Sequence, residues 1–327
     1  MSMYGRSRVK VPASTANLGP GFDTLGMALS LYAWIEMEEA DDTAFHLYGD
    51  EMAGVATDKS NLLYQVAQMV FAEAGVEIPE LSITMYSDIP LTRGLGSSAS
   101  AIVGGMAAAN AMIGSPLSLA KLFDMATALE KHPDNVGASL FGGIITAVWD
   151  GEHADYIRIE PPRDLEVLVV IPEFELSTTK ARGVLPLEIT VGDAVHNISR
   201  TSLLTAALAA GRLDLIGRAM QDRLHQPYRA PLVPGMEKLL AEATGHGALG
   251  IALSGAGPTL LCMVERNGSQ KEELVLFLKQ TMEEHGIPAR TCWLLPCTSG
   301  VVVSERIETN QMQNGSFLDM IKGEKQL

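Results

Sequence analysis

The residues best suited to chemistry form a short glycine- and serine-rich segment, RGLGSSASA, residues 93–101. It follows an alternating segment, 81–91, and precedes a long run of Ala, Gly, Met and Ile. Glycines at a strand-to-helix junction let backbone N–H groups approach an anion, and the positive end of the helix adds to the attraction. Ser98 and Ser100 offer hydroxyls to phosphate or a metal ion. The pattern by itself fits a phosphate site and a tight turn with a serine N-cap equally well.

Part of this segment, GLGSSA at residues 94–99, also matches the dinucleotide-binding pattern G-x-G-x-x-G/A. That pattern requires a second strand after the helix and an acidic residue about 20 positions further on. Here the helix is followed by the turn GSPLS and another helix, so a nicotinamide-dependent dehydrogenase is a poor interpretation. The Walker A pattern fails as well, because no Lys followed by Ser or Thr comes after the last glycine.

Three further segments place polar residues among glycines. PASTANLGPGFDTLG, residues 12–26, puts Asn17 and Asp23 in a predicted loop near the first strand. EKHPDNVGASLFGG, residues 130–143, follows a predicted helix and carries carboxyl, imidazole and amide groups. ALSGAGPTLLC, residues 252–262, is a third glycine-rich loop. Several glycine loops with nearby acids and amides indicate a site for a charged ligand.

The strings ANLGPGFDTLG, GLGSSASA and HPDN together resemble the GHMP kinase family, which includes galactokinases, mevalonate kinases and homoserine kinases. The likeness extends from Pro12 to Thr259 and is closest to the members that act on homoserine. It implies ATP-dependent phosphorylation of L-homoserine to O-phospho-L-homoserine, in threonine biosynthesis, with ATP and Mg²⁺ as cofactors. The alternatives are a family kinase for another hydroxylated molecule such as mevalonate, or a non-catalytic ligand-binding relative.

The resemblance implies that the ATP phosphates lie in the glycine loop at the start of the following helix. Backbone amides would neutralise part of their charge, and Mg²⁺ would supply much of the rest. Ser98 and Glu130 are the metal candidates, with Asp124 as the alternative acid. The residues expected to bind ATP are Pro90, Leu91, Thr92, Arg93, Gly94, Leu95, Gly96, Ser97, Ser98, Ala99 and Ser100.

The catalytic residues that the resemblance implies are Asn135 and Glu130. Mevalonate kinases and galactokinases are expected to use an aspartate base, whereas homoserine kinases carry an asparagine at this place, here Asn135. An amide cannot usefully accept a proton. We therefore expect Asn135 and Asn17 to position the substrate hydroxyl without a side-chain base. His132 is expected to help bind the substrate, with a hydrogen-bonded loop histidine as the alternative.

The charged ends of homoserine need partners of their own. Asp23 suits the ammonium group, and the planar fork of an arginine suits the carboxylate. Arg182, with Thr178 one helical turn before it, and Arg229 lie in proline-marked stretches that resemble the carboxylate-binding stretches of homoserine kinases. The expected substrate-binding residues are Asn17, Asp23, His132, Asn135, Thr178, Arg182 and Arg229.

Composition limits the class of protein. The net charge of −15 argues against a nucleic-acid partner, because phosphate backbones require clusters of Lys and Arg. The longest uncharged stretch, 247–264, is interrupted by glycines and a proline, so we expect no membrane span. The N-terminus lacks the apolar segment of a secretory signal, and 3 cysteines without CxxC spacing indicate reduced thiols. These features predict a cytoplasmic protein, and the resemblance adds a possible homodimer.

The order of predicted elements mixes strands and helices without a strict βαβ repeat, so the fold class is α+β. A buried helix with a serine cap is predicted for Ser97–Met112. The resemblance implies an N-terminal glycine-loop ATP-binding domain, 1–155, and a C-terminal domain, 165–305, with a ferredoxin-like α/β sandwich. The boundary is expected within 149–165, where Pro, Gly and charge concentrate, and residues 308–327 are expected to form a loose polar tail.

Overall fold

The computed structural model describes residues 4–307 and 317–325. Its strands are β1 (Arg6–Asn17), β2 (Gly21–Glu39), β3 (Ala44–Tyr48), β4 (Leu81–Ser87), β5 (Ile144–Trp149), β6 (Ala154–Ile159), β7 (Leu165–Pro172), β8 (Gly250–Leu253), β9 (Leu260–Glu265), β10 (Ala289–Leu294) and β11 (Val302–Ile307). Its helices are α1 (Leu62–Glu73), α2 (Ser97–Met112), α3 (Leu119–Glu130), α4 (Asp134–Phe141), α5 (Thr178–Gly183), α6 (Val191–Ala210), α7 (Ile216–Ala219), α8 (Gln226–Arg229), α9 (Met236–Glu242), α10 (Lys271–Glu284) and α11 (Phe317–Lys325).

The larger sheet has the strand order β11-β1-β2-β4-β3, and β5 and β6 extend it from β2. Only β3 and β4 pair in parallel among the described strands. Strands β1 and β2 form a long hairpin, and helices α2 and α4 pack on it. Burial alternates along the first half of β1 and along β4, as expected of strands with one face toward a core. This hairpin contains the glycine-rich segment 12–26.

The smaller sheet has the order β10-β7-β9-β8, and every pair in it is antiparallel. In chain order its elements run strand, helices, two strands, helix and strand, which is the ferredoxin-like arrangement. Strand β7 is buried at nearly every position because it lies inside the sheet and is covered by both halves of the molecule. The predicted α+β class and ferredoxin-like sandwich are therefore confirmed.

Two segments that looked like loops in the sequence contain regular structure. The hairpin strands continue through residues 12–26 and leave only 18–20 as the turn, whose Pro20 carbonyl accepts hydrogen bonds from Asn197 and Thr201 of α6. Residues 134–141 form α4. The predicted serine cap of α2 is wrong, because the N-cap is Gly96 in a left-handed conformation (φ 70°) and it makes no side-chain capping bond.

The C-terminal part of the chain returns to the larger sheet. Strand β11 pairs with β1, and β6 lies inside the segment where the domain boundary was expected. Of the predicted polar tail, residues 308–316 lie outside the described residues, whereas 317–325 form α11, whose Phe317 and Ile321 pack with Trp34. In the described part of the chain, no helix has the length and apolar character needed to cross a membrane.

Candidate active site

A cleft lies where the hairpin and glycine loop of the larger sheet meet α5, α8 and the 254–257 loop. The predicted residues that line it are Asn17, Asp23, Thr92, Gly94, Gly96, Ser97, Ser98, Ala99, Glu130, His132, Asn135, Thr178, Arg182 and Arg229. The predicted residues that do not line it are Pro90, Leu91, Arg93, Leu95 and Ser100. Lining residues absent from the predicted set are Ala16, Phe22, Asp134, Leu176, Gly255, Ala256 and Gly257. Segments far apart in sequence thus form one site.

The glycine loop presents the start of α2 to this cleft. Because Gly96 offers no capping side chain, the N–H groups of the first turn remain available to an anion. Gly94 and Gly96 have φ of +76° and +70°, and a Cβ on Gly96 would lie 2.1 Å from the Ser14 hydroxyl oxygen. A glycine is therefore required here by packing as well as by conformation. The Ser100 hydroxyl instead donates to the Ser97 carbonyl within the helix.

Ser14 of β1 links the glycine loop to α4, a role that its place in the segment 12–26 does not indicate. Its backbone N–H donates to the Leu95 carbonyl at 3.2 Å. Its hydroxyl donates to Asn135 Oδ1 at 3.0 Å and accepts from Ser139 at 3.2 Å. Ser14 is fully buried, so this contact orients the Asn135 amide from the protein interior. The Asn135 Nδ2 group is then the part of the amide left for a ligand.

Glu130 and Ser98 form the second polar feature near the loop. The Ser98 hydroxyl donates to Glu130 Oε1 at 2.5 Å across the cleft. Oxygen donors with one carboxylate are the ligands that Mg²⁺ prefers, so this pair fits that ion. Asp124, the alternative acid, accepts from the Ala154 N–H and lies against His153, and it does not line the cleft. The geometry therefore favours Glu130 over Asp124.

His132 and Asp134 lie beside Glu130. The His132 Nδ1 atom is 2.6 Å from Asp134 Oδ1, which also accepts from the Asn135 N–H at 2.7 Å. Burial opposes protonation of His132, but the carboxylates of Asp134, Asp23 and Glu130 outweigh it and raise the pKa of this imidazole above its ordinary value. A histidine that holds its proton more tightly is a less available base near neutral pH.

Asp23 and Arg182, predicted to bind the ammonium group and the carboxylate of the substrate, form an ion pair with each other. The guanidinium donates through both Nη atoms to the two carboxylate oxygens, at 3.0 and 2.7 Å. Burial opposes the charge of Arg182, but the hydrogen bond and the negative charge of Asp23 raise its pKa. The side chains are 32% and 37% exposed, so a ligand can reach both.

Arg229 lies deeper, at 2% exposure. Its Nε donates to the Ala181 carbonyl and its Nη1 to the Gly255 carbonyl, both at 3.0 Å. Burial and the nearby Arg182 charge lower the pKa of Arg229 to about 10, so it stays positive near neutral pH. The Phe22 ring centroid is 5.5 Å from the Arg182 guanidinium carbon and 5.3 Å from that of Arg229. Cation–π attraction helps to hold two like charges beside one aromatic ring.

The Asn17 amide connects the first hairpin turn to the third glycine loop. Its Nδ2 donates to the Gly255 carbonyl at 2.9 Å, and its Oδ1 accepts from the Asp23 N–H at 3.1 Å. The Ser254 hydroxyl lies 2.8 Å from the Thr15 hydroxyl, and Gly255 donates its N–H to the Ala16 carbonyl. Asn17 therefore lines the cleft and also supports the backbone that carries Asp23.

Comparisons with known proteins show which family the chain resembles. The family model described as GHMP kinases N terminal domain matches residues 61–143, and that described as GHMP kinases C terminal matches residues 204–284. A homoserine kinase of Moorella thermoacetica is 44% identical over 295 residues, which are 90% of this chain and 99% of that protein. A homoserine kinase of Deinococcus radiodurans is 45% identical, over 90% of this chain and 96% of that protein.

A solved structure is also similar along nearly the whole chain. The crystal structure of homoserine kinase from Cytophaga hutchinsonii has a TM-score of 0.82 at 26% identity, and the match covers 93% of this chain and 98% of that one. The family models match both halves of the molecule, and the glycine loop, the HPDN helix and the two arginines meet in one cleft. On these grounds the chain belongs to the GHMP kinase family.

Proposed function

We propose that the chain transfers the γ-phosphoryl group of ATP to the hydroxyl of L-homoserine. The observation that carries this proposal is one cleft whose lining includes both the start of α2, which has no side-chain cap and is called here the phosphate end, and Asp23, Arg182 and Arg229, called here the carboxylate end. The relatives named homoserine kinase support it. The product, O-phospho-L-homoserine, would serve threonine biosynthesis.

The Asp23–Arg182 ion pair favours an amino acid as the substrate. A zwitterion brings an ammonium group for Asp23 and a carboxylate for Arg182, so two ion pairs replace one. Arg229, across the Phe22 ring, supplies a second guanidinium for the carboxylate. Mevalonate has a carboxylate but no ammonium, and its binding to Arg182 would leave Asp23 without a cation. Breaking a partly buried pair in this way costs free energy, and this cost favours homoserine.

At the other end of the cleft, the N–H groups at the start of α2 are proposed to bind the ATP phosphates. Ser98 and Glu130 are proposed to hold Mg²⁺, which when bound neutralises charge on the transferred phosphoryl group. Asn135 would hold the homoserine hydroxyl through Nδ2 because Ser14 occupies its Oδ1. The hydroxyl proton can leave late, toward phosphate or solvent, because the transition state of phosphoryl transfer is loose.

The test is a coupled assay of ADP release with MgATP and, in turn, homoserine, mevalonate and galactose. We expect turnover with homoserine and little with the other two. Turnover with mevalonate and none with homoserine would assign the site to a different substrate. No turnover with any of them, despite binding of ATP, would support a non-catalytic relative.

We also propose that the chain forms a homodimer through the exposed face of α6. The large apolar residues of this face are Val191, Val195 and Ile198, at 81%, 58% and 66% exposure, and Leu187 just before the helix is fully exposed. No exposed position of α6 carries a charge, in a chain of net charge −15. Two copies can meet on such a face without repulsion, so a second copy is the occupant that we propose.

Light scattering tests this proposal directly. The wild type should have the mass of a dimer, and Ile198→Glu should have that of a monomer because it places a charge in the proposed interface. A wild-type monomer, or a variant that remains dimeric, would contradict it.

The proposed compartment is the cytoplasm, where a reducing environment keeps Cys262, Cys292 and Cys297 as free thiols.

A further inference from the structure

A buried histidine lies directly behind the deeper arginine of the cleft. His225 is 0% exposed and is not among the described residues that line the cleft. Its Nε2 atom is 2.7 Å from the Gly19 carbonyl oxygen, in the turn of the β1–β2 hairpin. Its Nδ1 atom is 3.3 Å from Arg229 Nη1. The imidazole therefore joins the hairpin turn to the guanidinium.

The two contacts determine which nitrogen of His225 carries the proton. A carbonyl oxygen only accepts hydrogen bonds, so Nε2 must be the donor to Gly19. In a neutral ring Nδ1 is then an acceptor, and Arg229 Nη1 can donate to it. Burial and the Arg229 charge lower the pKa of His225, although Asp222 opposes them, so the neutral ring is favoured.

The surroundings of His225 hold the ring in this orientation. Asp222 accepts from the backbone N–H groups of His225 and Gln226, at 3.0 and 2.7 Å, and its other oxygen accepts from Asn197 at 2.7 Å. The ring stacks on Phe22 with a centroid distance of 5.2 Å and an interplanar angle of 29°. The Phe22 ring thus contacts the His225 imidazole and also lies near the guanidinium groups of Arg182 and Arg229.

The contacts of Arg229 leave one of its nitrogens for a ligand. Nε is bound by the Ala181 carbonyl, and Nη1 lies between the Gly255 carbonyl and His225 Nδ1. Nη2 has no protein hydrogen bond within residues 4–307 and 317–325, and it is not a buried unpaired atom. A guanidinium is planar, so holding Nε and Nη1 also determines the direction of Nη2.

We propose that His225 is a positioning residue: as a neutral acceptor at Nδ1 it holds the Arg229 guanidinium so that Nη2 faces the substrate carboxylate. This proposal rests on the proposed phosphorylation of homoserine. Its consequence is that His225 affects substrate recognition through Arg229 and has little effect on the phosphoryl transfer step, which takes place at the other end of the cleft.

Two substitutions separate the two contacts of the ring. His225→Gln can keep a donor near the Nε2 position but loses the acceptor for Arg229. His225→Asn can keep an acceptor near the Nδ1 position but loses the donor to Gly19. We expect the Gln variant to raise the KM for homoserine about 10-fold, as for loss of a hydrogen bond to a charged group, and the Asn variant to raise it less than about 3-fold. In both, kcat and the KM for ATP should change less than about 2-fold.

A substrate without a carboxylate provides the readout that a purely structural role would not move. For 2-amino-1,4-butanediol, which has an alcohol in place of the carboxylate, kcat/KM should be the same in the wild type and His225→Gln. The KM for homoserine in Arg229→Leu should not rise further when His225→Gln is added. His246→Gln, at a solvent-accessible histidine bound to Glu273, is the matched control and should behave as the wild type.

The outcomes distinguish the two proposals. A wild type that does not phosphorylate homoserine overturns the proposed function, and the role of His225 with it. An active wild type with equal KM values in the Gln and Asn variants overturns only the positioning role. The positioning role is also overturned if His225→Gln loses as much kcat/KM with the alcohol analogue as with homoserine. It is overturned as well if a fall in thermal stability accounts for the rise in KM.

Discussion

At the phosphate end of the cleft, the groups expected to bind the ligand are backbone N–H groups of consecutive residues, 94–98, at one helix start. At the carboxylate end they are side chains, and the Asp23–Arg182 pair alone spans 159 positions of sequence. A backbone site depends on local conformation, whereas a side-chain site depends on how distant segments pack. The 254–257 loop touches both ends, because Ser254 contacts Gly94 and the Gly255 carbonyl accepts from Arg229.

This comparison predicts that the phosphate end tolerates added volume least. Gly96→Val would place a branched side chain where the Ser14 hydroxyl lies 2.1 Å from an added Cβ, and φ is +70°. We expect kcat/KM to fall roughly 100-fold or more, because both the loop N–H groups and the Ser14–Asn135 contact move. Steady-state kinetics and ATP titration measure the loss.

A matched glycine checks that volume alone is not responsible. Gly245→Val is the control, since nothing lies within 4 Å of an added Cβ there and its φ is not positive. It should retain activity close to that of the wild type. Normal ATP affinity in a folded Gly96→Val protein would move the nucleotide site away from this loop.

The carboxylate end should respond through binding of homoserine. Arg182→Leu and Arg229→Leu should each raise the KM for homoserine roughly 10- to 100-fold, with smaller changes in kcat and in the KM for ATP. The double variant should be less than additive if both guanidinium groups hold one carboxylate, as proposed. Arg212→Leu, at an exposed ion pair with Asp214, is the control. A single variant that weakens only ATP would place that arginine at the phosphate end.

Asn135 lies between the two ends and sharpens the comparison. Asn135→Ala should lower kcat about 10-fold through loss of hydroxyl positioning, without a new titrating group between pH 6 and 9. Profiles of kcat against pH for the wild type and the variant decide this. If the wild-type kcat changes near pH 7 and this change is absent in Asn135→Ala, the result would oppose a reaction without a base. If the change is absent only in His132→Ala, His132 would be the base.

The smallest expected effect is on stability. Because the folded protein raises the pKa of His132, its imidazolium contributes stability that is full below the unfolded pKa, about 6.5, and is lost as pH rises through the folded value. The free energy of unfolding of the wild type should therefore exceed that of His132→Asn more at pH 6 than at pH 9. Urea titrations at the two pH values measure this difference. A difference in the free energy of unfolding between the two proteins that grows with pH would contradict the direction of the pKa shift.

The sequence by itself determined the features that depend on neighbouring residues. The bounds of the predicted helix at Ser97–Met112 agree with α2, because small apolar residues after a glycine loop favour a buried helix there. The α+β class followed from the order of elements. The ferredoxin-like arrangement came with the family resemblance, since homologous chains share their topology. Asp23 follows from the chemistry of an ammonium group, Arg182 and Arg229 follow from the resemblance, and the fold brings all three into one cleft.

Only the tertiary structure decided what surrounds these residues. Ser14 and Phe22 lie within the segment 12–26, but the sequence does not indicate their roles, and His225 lies in no motif. Each acts through contacts with residues remote in the chain: Asn135, the paired arginines and the Gly19 carbonyl. The same holds for Gly96, which a turn explains locally but which packing against Ser14 also requires. Local sequence sets backbone conformation within a few residues. Hydrogen bonds, burial and the pKa of a side chain depend on groups that only folding brings within a few ångströms.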